Sequence, residues 1–493
     1  MKPAHRVAAR RRLGAALAGF TLVAACGGPG VSREIARSAT CPWDQLPRHP
    51  SKPVEITVWQ NYSSASKRTF DKLVEQYNAS QSRVHVNSEI QGVAFEETLR
   101  KYKLAAEDGH DMPNLVLLED TTTQVMADSG TIIPAQACVD VDPAGRAIAA
   151  GMLPLGRVSY SIGGRLQPVG FDVYTALAYI NRSDFKKAGL DPDKPPGTLD
   201  EIRAAAVRLK AVGAAHGSPP VVISLPAWQT EWLLTGAGQT IVDHDNGRNG
   251  LATTSTFGSA TERKVLTTLK QMQDDGLLRA VEGKEGQTDH LFAMALGNAS
   301  MTVESSAGIP TIAGLLEGSI DPEQLKADLG VALPPGFKLD IDLGVGPWPG
   351  IDKAGQGQIG GGAWYLTNTG SEQTQAAAWD FAKWLNGTPQ QVAWALEGTG
   401  LPSQTSAAED PVLQQKWTST LSGRWSTVAW GVLQNVRQDF PGPLIGPYKE
   451  SREAIRAAVE RVMLGDGNIS AAVHDADVTI TSKLREYRTS IDG

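Results

Sequence analysis

The chain reads as an α/β protein of two lobes, and three observations predict this. Strand-like alternation and helix-like apolar spacing succeed one another from residue 54 to residue 118. The same rhythm returns from residue 177 to the C-terminal region. Some 468 of the 493 residues remain once a short leader is set aside, too many for one core of ordinary size.

The elements follow in order. Val54, Ile56 and Val58 alternate with polar residues in a strand that runs into Trp59-Gln60-Asn61-Tyr62. Ser66 is placed to cap a helix carrying Phe70, Leu73, Val74 and Tyr77. Val84, Val86, Ser88 and Ile90 make a second strand, and residues 95–108 a second helix. Leu115-Val116-Leu117-Leu118 is apolar throughout, as a parallel strand covered on both faces requires, and it stops at Glu119-Asp120. This order implies right-handed crossovers and a mostly parallel sheet. Further on, residues 177–181 and 221–225 read as strands. Residues 198–210, 261–276, 374–385, 451–463 and 469–487 read as helices, with Trp379 a core residue.

The N-terminus is an export signal. Lys2, Arg6, Arg10, Arg11 and Arg12 precede the apolar stretch 13–25. That stretch falls short of the roughly 20 residues a membrane-spanning helix needs. It ends in Val23-Ala24-Ala25-Cys26, which resembles the bacterial lipobox, so Cys26 is the expected lipidation site. Residues 1–25 are then a signal peptide and 26–52 a tether rich in Gly, Pro, Ser and Arg. The arginine triplet admits either general or twin-arginine export. Two cysteines remain, Cys41 and Cys138. An even count in an oxidising compartment suits a disulfide between them, with two unpaired buried thiols as the alternative.

Charge narrows the function. The whole chain carries −7; removing the leader takes away five basic residues and no acidic one, leaving −12. An acidic surface argues against nucleic acid, whose binding draws on phosphate neutralisation. Gly355 to Gly360 matches the dinucleotide fingerprint but leads into a strand-like segment instead of a helix. The histidines and cysteines lack metal-ligand spacing, no nucleophile elbow occurs, and Asp243–Gly247 reads as a turn. No cofactor and no catalytic group is expected. Glu119 with Asp172 or Glu304 is the pair a glycosidase reading would need.

The chain resembles the extracellular solute-binding family of carbohydrate ABC importers, and within it the glycerol-3-phosphate-binding branch. The resemblance rests on seven segments: 56–62 (ITVWQNY), 117–128 (LLEDTTTQVMAD), 179–196 (YINRSDFKKAGLDPDKPP), 245–248 (DNGR), 301–308 (MTVESSAG), 359–366 (IGGGAWYL) and 376–385 (AAAWDFAKWL). It implies a periplasmic-binding-protein-like fold, two hinge-linked lobes with ligand in the cleft. Lobe one is placed at 53–171 plus 334–365, and lobe two at 172–333 plus 366–490. It also implies partners, namely a small carbohydrate-like ligand and permease subunits with a cytoplasmic ATPase. The protein would sit at the outer face of the cell membrane, held only by its N-terminal lipid.

Position by position, the resemblance implies that Glu119 accepts from ligand hydroxyls and that Trp228 and Trp232 flank the ligand. Ser305 and Ser306 touch its oxygens, and Gly361 and Gly362 open backbone N–H groups to it. Trp59, Asn61, Tyr62 and Asp172 complete the expected ligand-binding set, because ligands on open parallel sheets sit beyond the carboxyl ends of strands. Four departures bear on ligand class. Val173-Tyr174, the region of Ile90, Gly400 and Leu444 stand where the phosphate-binding branch has serines, tyrosines and a clamping arginine. Phosphate favours Arg and hydroxyl donors, so the expected ligand is a neutral or cationic hydroxylated molecule: a sugar, oligosaccharide, amino sugar or glycerol derivative. The competing readings are a glycoside hydrolase, a glycerol-3-phosphate or glycerophosphodiester receptor, and a sensor or adhesin without a transporter.

Overall fold

The computed structural model describes residues 40–492 except 93, 284–288, 322, 324–325, 327–338 and 356. The leader, Cys26 and most of the tether lie outside the described residues.

Two sheets organise the chain. The first runs in the order Val84–Ile90, Val54–Gln60, Leu115–Glu119, Gly362–Thr367, Ile132–Ile133, with Val169–Gly170 also on Gly362–Thr367. The second runs Leu278–Val281, Val221–Ser224, Met301–Ser305, Ala176–Asn181, Leu343–Pro347. Each begins with three parallel strands and is completed by antiparallel ones. The sheets are therefore mixed, where the sequence pointed to mostly parallel ones. Ala176–Asn181 and Gly362–Thr367 each arrive from the opposite lobe and run against the parallel strands.

Local chemistry accounts for most helix boundaries. Thr198, Ser259 and Ser371 accept hydrogen bonds from the third backbone N–H of the helices at 199–211, 260–274 and 372–385. The helix Ser64–Ser80 starts before Ser66. Ser66 does not cap it but lies buried inside it, its hydroxyl 2.6 Å from Thr399 Oγ1. Phe70, Leu73, Val74 and Tyr77 fill the first core as their spacing demands. Trp379 is 1 % exposed and its indole N–H donates to Asp142 Oδ2 at 2.8 Å. Cys41 and Cys138 are bonded, with Cα atoms 4.8 Å apart.

Two elements belong to the other lobe from the one expected. Leu343–Pro347 pairs with Ala176–Asn181 in the second sheet, although 334–365 was assigned to the first lobe. The helix Glu372–Leu385 packs on Val54–Gln60 and Gly362–Thr367 and joins the first core, although 366–490 was assigned to the second. Residues near 360 and near 401 are where the chain changes lobe.

Three described segments make those changes, and they hydrogen-bond to one another. Asp172–Val173 pairs antiparallel with Leu401–Pro402, and Tyr174 bridges Gly360 with N···O distances of 2.8 and 3.0 Å. Gly361 follows at φ +133°, and a Cβ there would lie 2.2 Å from the Asp172 carbonyl oxygen. Only glycine allows this approach. The closing helices Tyr448–Leu464 and Ile469–Asp492 pack on each other and on the second lobe.

Candidate ligand-binding cleft

The lobes meet where the parallel strands end. Lys449 pairs with Glu96 at 2.8 Å, and the Tyr487 hydroxyl lies 2.8 Å from Asp128 Oδ2. Each contact joins a closing helix of the second lobe to the first. Between the lobes lies a small polar cavity. Its charged and aromatic lining is Asp120, Glu231, Trp232, Arg248 and Tyr448, with Ser159, Gln358, Ile359 and the loop Pro441-Gly442-Pro443 closing it.

Charge is the organising principle of this cavity. Glu231 is 3 % exposed on the helix Ala227–Gly236. It accepts from Arg452 at 2.9 and 3.3 Å and from the Tyr448 hydroxyl at 2.6 Å. Arg452 also reaches Glu119 Oε1 across the cleft at 3.4 Å, and its guanidinium lies 5.0 Å from the Tyr448 ring centroid. Glu119 ends the strand Leu115–Glu119 and accepts from Thr121 on its other oxygen at 2.9 Å. Asp120 is pushed well above the ordinary carboxylate range by desolvation and by the charge of Glu119.

Arg248 serves the loop. Its Nε donates to Gly442 O at 2.7 Å, and its terminal nitrogens donate to Pro441 O and Val158 O at 3.3 Å. Desolvation lowers its guanidinium to about 10, which still leaves it charged at neutral pH.

Trp232 is the one expected residue that lines the cavity, and Trp228 lies against it with centroids 5.0 Å apart. Trp348 completes the aromatic cluster, 5.8 Å from Trp228 and 6.4 Å from Trp232. Glu119 is linked to the cavity wall through Arg452, which bonds the lining residue Glu231. The other expected residues stand behind it. Trp59 belongs to the first core and donates to Glu89 at 2.9 Å. Asn61 is buried, and the Tyr62 ring packs on Trp394 and Phe70 at 4.9 and 5.3 Å. Ser306 Oγ accepts from Thr175 N–H, and Ser305 Oγ from Ala307 N–H. Gly361 accepts from Asp120 N–H at 3.2 Å, and Gly362 donates to Asp172 Oδ1 at 3.2 Å.

Sequence reasoning set Asp120 at the strand end beside Glu119 without giving it a role, and did not single out Glu231, Arg248, Tyr448 or Arg452. Two of them carried a signal. Glu231 is the one charged residue in AWQTEWLLTG, and Arg248 ends the DNGR segment.

Asp172 is 1 % exposed at the joint between lobes. Burial raises its carboxyl from 3.8 to about 7, against the stabilising Gly362 N–H and the Tyr62 and Tyr174 phenols that flank it. A carboxyl raised on folding contributes stability that is complete below its unfolded pKa and lost as pH rises through its folded one. The contribution of Asp172 therefore fades between about pH 4 and about pH 7. Asp172→Asn keeps the acceptor for Gly362 and removes the titration. Its melting temperature relative to the parent is expected to rise steadily across that window, measured by calorimetry in matched buffers; a flat difference would contradict this.

Comparison with known proteins places the fold. The chain is similar to the sn-glycerol-3-phosphate-binding periplasmic protein of Brucella abortus, 27 % identical over 433 residues, 86 % of this chain and 91 % of that one. Among solved structures it superposes on the cyclic α-maltosyl-1,6-maltose binding protein of Arthrobacter globiformis with a TM-score of 0.67, at 20 % identity over 88 % of this chain and all of that one. It superposes equally, at 0.67, on the Mycobacterium tuberculosis UgpB in complex with glycerophosphocholine, 18 % identical over 89 % of this chain and all of that one. The family model for the bacterial extracellular solute-binding protein matches residues 72–420. With that match over most of its length and two lobes facing a charged, indole-walled cleft, the chain belongs to the bacterial extracellular solute-binding proteins.

Proposed function

We propose that this substrate-binding protein of an ABC importer captures a neutral or cationic hydroxylated ligand, a sugar, amino sugar, oligosaccharide or glycerol derivative, between Trp228, Trp232 and Glu119. It delivers that ligand to permease subunits from a position lipid-anchored through Cys26. The observation that carries the ligand class is the charge balance of the cleft. Arg248 directs its N–H groups at three backbone carbonyls, and Arg452 directs its own at Glu231 and Glu119. A phosphomonoester entering here would meet Glu119, Asp120 and Glu231 with both guanidinium groups engaged. Hydroxyl groups suit such acceptors, and indole faces suit the C–H face of a ring or polyol.

The test is a calorimetric titration of the folded chain with neutral sugars, amino sugars and glycerol-3-phosphate. A sugar or amino sugar is expected to bind and to change tryptophan emission. Truncating both Trp228 and Trp232 to alanine is expected to weaken that binding at least tenfold, about 1.4 kcal/mol or more. Micromolar binding of glycerol-3-phosphate to the unaltered chain would falsify the ligand class. The second reading is a glycerophosphodiester with a cationic head group, favoured by the acidic triad beside indole rings. It predicts that glycerophosphocholine outcompetes every sugar in the same titration.

A further inference from the structure

The second lobe holds another cavity, and it shares no lining residue with the cleft. It lies between the second sheet and the helices that cover it. Its walls are apolar: Val221 and Ile223 on one strand, Leu278 and Met301 on its neighbours, Leu269 and Met272 on the helix above. Ser224, Gln229, Thr230, Thr302 and Trp348 interrupt them. Gln229, Thr302 and Trp348 are 7 %, 2 % and 1 % exposed and line the cavity. Gln229 Nε2, Thr302 Oγ1 and Trp348 Nε1 have no hydrogen-bond partner among the described residues.

We propose that this cavity is a second binding site, for a small and mostly apolar molecule that carries one acceptor oxygen, such as a ketone or ester. Buried polar side-chain atoms are nearly always paired, so three unpaired ones around one cavity call for a common partner. Two of them, the amide N–H₂ and the indole N–H, can only donate. The missing partner is therefore an acceptor. The aliphatic walls supply the rest of the selectivity, since they reward an apolar body.

The helix Ala227–Gly236 divides this cavity from the cleft. Gln229, Thr230 and Leu233 face the cavity, while Glu231 and Trp232 face the ligand site. Trp348 belongs to the cavity wall and also sits 5.8 Å from Trp228. An occupant therefore registers in indole emission without entering the cleft.

Cyclohexanone and cyclohexane separate the two parts of the proposal, because they share size and differ in the acceptor. In emission titrations of the full chain, cyclohexanone is expected to bind at least about tenfold tighter than cyclohexane, the worth of one hydrogen bond to buried donors. Gln229→Leu and Trp348→Phe are each expected to shrink that ratio while leaving cyclohexane affinity within about twofold. Crystals of the native chain soaked in cyclohexanone provide a readout independent of those variants. A ring in the cavity with its oxygen toward Gln229 or Trp348 supports the site. Ordered water alone on the three atoms, or equal affinity for the two probes, overturns it.

Discussion

Replacing Arg452 by methionine is expected to lower the stability of the folded chain by about 3–5 kcal/mol, as removing one partner of a buried ion pair does. Glu231 keeps 3 % of its surface exposed, and Arg452 supplies two of the hydrogen bonds it receives. Without the guanidinium, Glu231 keeps only the Tyr448 hydroxyl, one neutral donor for a buried charge. The packing of Arg452 over the Tyr448 ring goes with it. Because Arg452 also spans the cleft to Glu119, the variant is expected to favour the open arrangement of lobes, visible as a larger radius of gyration in solution scattering. The informative partner is Arg452→Met with Glu231→Leu. Removing both charges relieves the desolvation cost of each, so the double variant is expected to regain most of the lost stability. If it unfolds at the same denaturant concentration as the single variant, charge pairing is not what Arg452 contributes.

Opening the Cys41–Cys138 bond carries the second large effect. It closes a loop spanning 97 positions, and in the chain-entropy model a loop of about 100 residues is worth ~4.7 kcal/mol. The geometry adds a local consequence. Cys138 is fully buried on the helix Ala135–Val141. The segment from residue 40 to residue 53 pairs with no strand and makes one internal backbone bond, Gln45 N–H to Pro42 O. The disulfide is thus its main attachment to the first core, beside the packing of Leu46 and Trp43. The Cys41→Ala, Cys138→Ala variant is expected to unfold about 2–5 kcal/mol more easily. It is also expected to lose residues before Val54 to protease first, read by mass spectrometry of timed digests. Equal stability and equal protease resistance would show that packing alone holds the segment.

The sequence revealed elements better than their partners. Val54–Gln60, Val84–Ile90 and the helix at 95–108 appear where period and apolar runs place them. Such patterns report which face of an element is buried, not which sheet it joins. The helix Glu372–Leu385 was legible as an element and illegible as a lobe member, because the first sheet is completed by Gly362–Thr367, chain returning from the other lobe, while Leu343–Pro347 carried no strand signal that was read. The site shows the same limit more sharply. Trp232 was visible because aromatic pairs in a helix are uncommon and match a family pattern. Arg452 stands in YKESREAIRAAVERVML, where it looks like any charge on a solvated helix face. Its partners lie 221 and 333 positions away, and no local pattern encodes separations of that size. Asp172 was placed at the ligand from sequence. The structure places it under Gly361 and Gly362, where its role reaches the cleft through backbone position.

The pairing among the segments that cross between lobes sets what kind of movement is available. Leu401–Pro402, Asp172–Tyr174 and Gly360 lie side by side and are stitched by backbone hydrogen bonds. A stitched ribbon behaves like a leaf spring: it flexes easily out of its own plane and resists shearing or twisting within it. Any sideways slip of one lobe past the other would have to break those bonds first.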